Sequence, residues 1–247
     1  MFLKKKYNSN FLFLIIISFF LFSILLTGER SNTLRAIFSL VLFISIIDII
    51  KPKTKLLIFI VLIGSFILTV SNSTYLKNRY VGQFYHYLVD QDSKNIKSSY
   101  YYVLYRSGYN VFKNSPILGV GNKNYRIETC KSDLDKVKKF DYVCSTHPHQ
   151  LYLEFLSEHG LLGTTILVFL FFYLIFKNIK RIIYSQNYLQ IGSFVYLIGV
   201  FLPLLPSGAF FSDFNLTFFF INLSILYAIN KDTNIFFVEK KFKNSIF

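Results

Sequence analysis

Tryptophan is absent from this sequence of 247 residues, methionine occurs once, cysteine twice and histidine four times. Both cysteines, Cys130 and Cys144, stand alone, so the paired C-x-x-C spacing of structural zinc sites is missing. A metal set built from the thiols with His147 and His149 has only a bare H-x-H in its favour. Glycine is sparse, and the pair Gly119 and Gly121 lacks the third glycine, the preceding strand and the downstream acid of a dinucleotide fingerprint. Acidic residues are few, 13 against 27 Lys and Arg, which leaves a net charge of +14. That balance would suit nucleic acid in a soluble protein, but here the cations sit mostly beside apolar runs, where membrane orientation accounts for them. Charge is missing altogether from several long windows. This excludes an ordinary soluble domain.

The chain is 53% hydrophobic, with thirty Phe and eighteen Tyr, at a mean hydropathy of +0.44. Such aromatic content suits lipid-facing and interfacial surfaces, although the Phe, Ile, Asn and Lys bias fits AT-rich coding equally well. The pattern predicts an all-α polytopic membrane protein with about six transmembrane helices, at roughly 11–27, 33–50, 55–72, 161–176, 188–205 and 211–229. Lys4, Lys5 and Lys6 precede the first window, and Lys51, Lys53 and Lys55 lie between the second and third. Lys177, Lys180 and Arg181 follow the fourth, and Lys231, Lys240, Lys241 and Lys243 follow the sixth. These clusters fall on alternate loops, so the positive-inside rule puts both termini in the cytoplasm. Residues 1–72 then form an N-terminal membrane segment with three spans, and 73–160 a large, helical extracytoplasmic loop. Residues 161–230 form a C-terminal segment with three more spans, and 231–247 a cytoplasmic tail. The first apolar run is long and no A-x-A-like site follows it, so a retained helix is expected rather than a cleaved signal peptide.

This topology collects polar residues on one face. Arg30 in LTGERSN lies at the outer end of the first span, Asp213 in PSGAFFSDFN between the fifth and sixth, and His147 and His149 in the loop. Arg30 reads either as an interfacial anchor paired with Glu29 or as a ligand for an anionic group such as phosphate, which guanidinium matches bidentately. Within the loop, SSYYYVLYRSGYNVFKNS has the three-and-four spacing of an amphipathic helix through Leu104, Gly108, Val111 and Phe112, ended by Pro116, Gly119 and Gly121. Arg106 and Arg126 flank that turn and are by default solvated charges. Cys130 and Cys144 would meet an oxidising compartment, so a disulfide is expected. It would tie DYVCSTHPH to a YRIETC strand and restrain the histidines near Arg126.

In HPHQLYLEFLSEHGLLG, residues 147–163, Pro148 suits a first helical position and Gly160 the residue just past a helix end. A helix is therefore expected over 148–159, with His149 in its first turn. Gln150, Glu154 and Glu158 would make one polar line, and Tyr152, Phe155 and Leu156 an apolar one. The helix dipole disfavours imidazolium at His149 and leaves a neutral ring able to accept a proton, an effect that nearby acids oppose. A neutral histidine on the outer face, near an arginine suited to phosphate, meets the needs of transfer from a phosphate-activated lipid donor to a hydroxyl. The alternative is a structural or capping histidine.

The same stretch resembles the signature of the O-antigen ligase and polymerase superfamily, a histidine followed by Asn, Ser or Gln and separated by nine residues from a Gly-x-x-Gly-like element. His149, Gln150, Gly160 and Gly163 fill that pattern. In addition, LTGERSN resembles the family's outer-end Thr/Ser-Arg element, NSPILGVGNKNYR its Pro-x-x-Gly-x-Gly loop, and PLLPSGAFFSDFN the outer segment between its last spans. The resemblance runs from about residue 22 to 230. It implies a metal-independent, inverting glycosyltransferase without a cofactor, in the bacterial inner membrane with its active face periplasmic. The donor would be an undecaprenyl-diphosphate-linked glycan; the acceptor would be lipid A–core for a ligase, or another lipid-linked repeat for a polymerase. Neither involves nucleic acid.

Carried over residue by residue, the resemblance makes His149 the base for the acceptor hydroxyl and Arg30 the ligand of the donor diphosphate, with Glu158 matching a frequent acid in a supporting role. Two departures stand out. Many members carry a basic residue at the start of the loop helix, where this chain has Tyr101; either Arg106 or Arg126 substitutes, or that donor contact is lost. Members also have roughly twice as many spans, and this chain resembles their C-terminal half. A truncated frame, a non-catalytic membrane subunit, and a second membrane chain supplying the missing helices are the readings this leaves open.

Overall fold

The computed structural model describes residues 7–82, 85, 100–131 and 141–234. Lys4 to Lys6, Lys240, Lys241 and Lys243, and the loop stretches 86–99 and 132–140 lie outside the described residues. All described regular structure is helical: α1 (Tyr7–Leu26), α2 (Arg30–Ile46), α3 (Pro52–Asn72), α4 (Thr74–Lys77), α5 (Tyr100–Asn114), α6 (Tyr125–Thr129), α7 (Leu151–Phe176), α8 (Ile179–Ser185), α9 (Tyr188–Val200) and α10 (Asp213–Ala228). A π turn, Asn78–Gly82, extends α4. Each of the six apolar windows overlaps a helix, although 33–50 and 188–205 run past Ile46 and Val200. Among the described residues two stretches are long and apolar enough to cross a membrane, Pro52–Asn72 with 21 residues and Leu151–Ser185 with 35. Apolar side chains on α1 and α3, such as Phe19, Leu57, Ile60 and Leu68, face outward. Helices satisfy their own backbone polar groups, so such surfaces suit a hydrocarbon solvent.

The helix starts follow from local chemistry. Pro52 opens α3 in its first turn, where the missing N–H costs nothing. Ser73, Asn187 and Ser212 each accept a hydrogen bond from a backbone N–H of the following turn and so cap α4, α9 and α10. The core is built around α7, α9, α10 and the 201–212 segment, where Phe155, Phe171, Phe201, Phe210 and Phe219 meet mostly edge to face. In the loop, α5 buries Leu104, Ser107, Gly108 and Val111 on one stripe. Two expectations are corrected here. The segment YRIETC is the short helix α6, not a strand, because its N–H groups bond back along the chain, Cys130 to the Arg126 carbonyl at 3.0 Å. The helix expected over 148–159 starts at Leu151, because Gln150 takes the cap position and its side chain accepts from the Leu153 N–H at 2.7 Å. Pro148 and His149 precede it.

Gly160 does end a helical stretch, but a second one resumes at once within α7. At Gly160 the backbone adopts φ 63° and ψ −170°, which breaks the intrahelical ladder. The freed groups pair with the Pro116–Gly121 loop. Val120 N–H donates to Ser157 O (3.0 Å) and Gly121 N–H to Glu158 O (2.8 Å), while Leu161 and Leu162 N–H donate to Pro116 O (2.8 Å) and Ile117 O (3.1 Å). The two backbones touch here. A Cβ on Gly160 would strike the Ile117 carbonyl, and one on Gly119 would strike the Glu158 carbonyl. Both glycines also have positive φ, so a side chain there meets strain as well as collision.

Gly160→Ala and Gly119→Ala should each destabilise the protein, by on the order of 2 kcal/mol or more. Gly64→Ala, in the open middle of α3 with nothing within 4 Å of the new methyl, should be neutral or stabilising. Thermal unfolding in detergent checks the contrast; equal melting temperatures for all three variants would contradict the docked-loop assignment.

Candidate active site

The sequence before α7 folds back on two elements at once. On one side Pro148 lies against Gly108 of α5, close enough that a Cβ at Gly108 would collide with the proline ring. On the other side lies the 205–212 segment. Glu154, fully buried in the first turn of α7, accepts the Phe210 N–H with both carboxylate oxygens (2.9 and 3.0 Å) and the Phe211 N–H at 3.5 Å. The segment so held presents Ser207. Its N–H donates to the His149 carbonyl (2.9 Å), and its carbonyl faces His147 Nε2 (3.3 Å). The expected line of Gln150, Glu154 and Glu158 is therefore real as spacing, but all three are buried and bonded rather than solvated. Glu158 accepts the backbone N–H groups of Lys123 and Tyr125.

The two histidines have different tasks. A carbonyl can only accept, so the contact with Ser207 O puts the proton of neutral His147 on Nε2, and Nδ1 accepts from Thr146 Oγ1 at 2.9 Å. Burial, then the adjacent His149, pushes His147 down to about 4, against a smaller opposing effect of the Ser207 carbonyl. His149 is half-buried, its ring 4.0 Å from that of His147 and 6.3 Å from that of Tyr100. Burial lowers its pKa too. Among the described residues no hydrogen bond is made by its ring nitrogens. Its backbone has φ 56°, unusual for a residue with a side chain, and the Ser207 N–H holds it there. His149 thus presents a neutral, fixed and accessible imidazole.

The other sequence-derived residues are distributed unevenly. Cys130 and Cys144 form a disulfide, with Cα atoms 4.5 Å apart, which fastens α6 to the chain leading into His147 and leaves no thiol for a metal set. Arg106 is paired with Asp141 at 2.5 Å, and Arg126 is exposed on α6. Arg30 is the first residue of α2, partly buried, with no ion pair to Glu29 and no hydrogen bond among the described residues. It stands one turn before Thr33, whose hydroxyl meets Tyr80 OH at 2.8 Å on the α3 and α4 side.

The opposite stripe of α2, through Asn32, Arg35, Ser39 and Phe43, lines a cavity of about 630 Å³ closed by α1, α9 and the Ser207–Phe210 segment. Ser207 therefore belongs both to this cavity and to the histidine clamp. Arg35 was missed by motif reasoning. The signal that marks it is a charge inside the apolar window 33–50, which is rare in a span.

Compared with known proteins, residues 13–168 match the family described as O-antigen ligase. No curated protein matches the chain, and no solved structure does.

The His147 pKa near 4 lies below its value of about 6.5 in an unfolded chain, so the unfolded state takes up the proton first. This group therefore removes stability as pH falls from about 6.5 to about 4, and adds no further dependence below that. The melting temperature of the wild type should drop across that interval, and a His147→Gln variant should lose part of the slope. A variant with an unchanged acid limb would show that His147 is not held neutral.

Proposed function

The chain belongs to the O-antigen ligase family, and from that premise we propose that it transfers a glycan from an undecaprenyl-diphosphate carrier to an acceptor hydroxyl such as that of lipid A–core. The family suggests ligase- or polymerase-type function in polysaccharide biosynthesis. In our reading the protein sits in the bacterial inner membrane with about six spans and both termini cytoplasmic, and the face carrying His149, Arg30 and the disulfide is periplasmic. The observation that carries the proposal is the state of His149: neutral, its ring nitrogens without a hydrogen bond among the described residues, and its carbonyl held by Ser207, which lines a cavity.

In the proposed reaction the acceptor O–H gives its proton to His149 as the oxygen attacks the anomeric carbon. The bond from that carbon to the lipid diphosphate breaks, its electron pair leaves on the diphosphate, and the configuration inverts. Arg30 at the outer end of α2 offsets the charge that develops on the leaving group. Glu158 acts at one remove by fixing the 123–125 backbone. Arg106, already engaged by Asp141, has less to offer a donor than the exposed Arg126.

His149→Ala should abolish surface glycan attachment, a loss of at least about 10²–10⁴-fold for a missing general base, while the protein still accumulates in the membrane. Normal glycan in that strain would overturn the assignment. Deleting the gene separates the two family activities: a ligase leaves long chains trapped on the lipid carrier, whereas a polymerase leaves single repeats on lipid A–core.

A further inference from the structure

Arg35 lies five residues into α2, roughly 8 Å along its axis from Arg30, on the stripe that faces the cavity. Around it the walls are largely hydrocarbon. Phe20, Leu21 and Ile24 of α1 and Val195 of α9 line the same space, and its polar lining is limited to Asn32, Arg35, Ser39, Tyr196, Ser207 and Asn215. Among the described residues no carboxylate pairs with Arg35. Its one hydrogen bond goes to the Leu205 carbonyl and is long, at 3.5 Å. The Tyr105 hydroxyl is close enough to feel the charge, yet burial and neighbouring Tyr101 push that phenol up to about 12, so it offers no negative charge. A guanidinium has five donors, and a charge left beside hydrocarbon with one weak acceptor is costly.

A second group is also unfilled. Ser207 lines the cavity, and its Oγ is buried and has no hydrogen-bond partner among the described residues. Such orphaned buried polar atoms call for a ligand. The site has the make-up of an amphiphile pocket: one cation and a few hydroxyl and amide groups set among mainly aliphatic and aromatic walls. At about 630 Å³ it lies within the range of roughly 300–1,000 Å³ common for small-molecule sites. Because Ser207 also clamps His147 and His149, an anion bound here is held by the same residue that fixes the imidazoles.

We propose that Arg35, assisted by Ser207 Oγ, is a second phosphate-binding residue of this site and grips the anionic head of an isoprenoid phosphate whose first units lie against α1 and α9. This rests on the glycosyl-transfer reading above and supplies a cationic donor contact where the loop helix carries Tyr101. The competing role is structural: Arg35 anchors the 203–206 turn through the Leu205 carbonyl and binds nothing.

The full chain, purified in detergent, is titrated calorimetrically with farnesyl diphosphate, inorganic diphosphate and uncharged farnesol. Arg35→Gln should weaken farnesyl diphosphate roughly ten- to hundredfold, leave farnesol unchanged and retain the wild-type melting temperature. Arg35→Lys should fall between, since it keeps charge without the bidentate fork, and Ser207→Ala should show a smaller, head-group-selective loss. Equal affinity of Arg35→Gln and wild type for farnesyl diphosphate overturns the proposal but leaves the donor reading intact. A lowered melting temperature with all three probes weakened alike also overturns it, in favour of the structural role. Arg35-dependent binding of inorganic diphosphate with no gain from the farnesyl chain supports the anion site and counts against a lipid donor. Should Arg35→Gln fail to fold, Arg35→Lys decides: wild-type affinity for farnesyl diphosphate overturns the proposal, and a selective loss supports it.

Discussion

The architecture depends on one backbone junction, the docking of the Pro116–Gly121 loop onto the break in α7 at Gly160. A helix has no spare N–H or C=O in its middle. By leaving helical geometry at one residue, α7 exposes two carbonyls and two N–H groups, and the loop satisfies all four. The junction requires glycine on both sides because the chains approach within the radius of a methyl group. Its consequence is positional. With the loop pinned, α5 lies along the start of α7, Gly108 receives Pro148, and the histidine segment has one place to go.

A second constraint comes from the far end of the chain. Glu154 has its carboxyl group deep in the structure, and the cost of that burial is offset by backbone N–H groups of Phe210 and Phe211. The carboxylate thereby fixes the turn before α10, and the turn supplies Ser207. One serine backbone then sets the tautomer of His147 and the left-handed conformation of His149. The histidines are neutral because both are buried, and at His147 the adjacent His149 adds to this while the Ser207 carbonyl opposes it. The proposed transfer would use the neutral imidazole of His149 on the side of the acceptor hydroxyl and the cavity lined by the same serine for the donor.

The apolar windows located the helices well, since all six overlap helices, although 33–50 and 188–205 run past Ile46 and Val200, and Gly160 marks a local boundary where expected. It was less successful near His149. Reading Pro148 as a first helical residue ignored Gln150, whose side chain reaches the Leu153 N–H and so starts the helix three residues later than Pro148 would. Gln150, Glu154 and Glu158 form the polar line that their spacing implies, but spacing along a helix gives no information about what packs on that face, and there all three are buried. Arg35 escaped notice because it belongs to no motif; its meaning lies in the missing counter-charge and the cavity beside it.

By itself the sequence determined the helical class, the membrane character and the family. Those follow from composition, from the 3.6-residue period and from short motifs, all of which are local along the chain. The tertiary structure alone decided that Gly119 and Gly160 meet, that Ser207 joins the two histidines, and that Arg35 rather than Arg30 faces the cavity. These are contacts between residues far apart in sequence, or choices between two sides of one helix. Such choices are settled by which backbone groups and charges find partners once the helices pack.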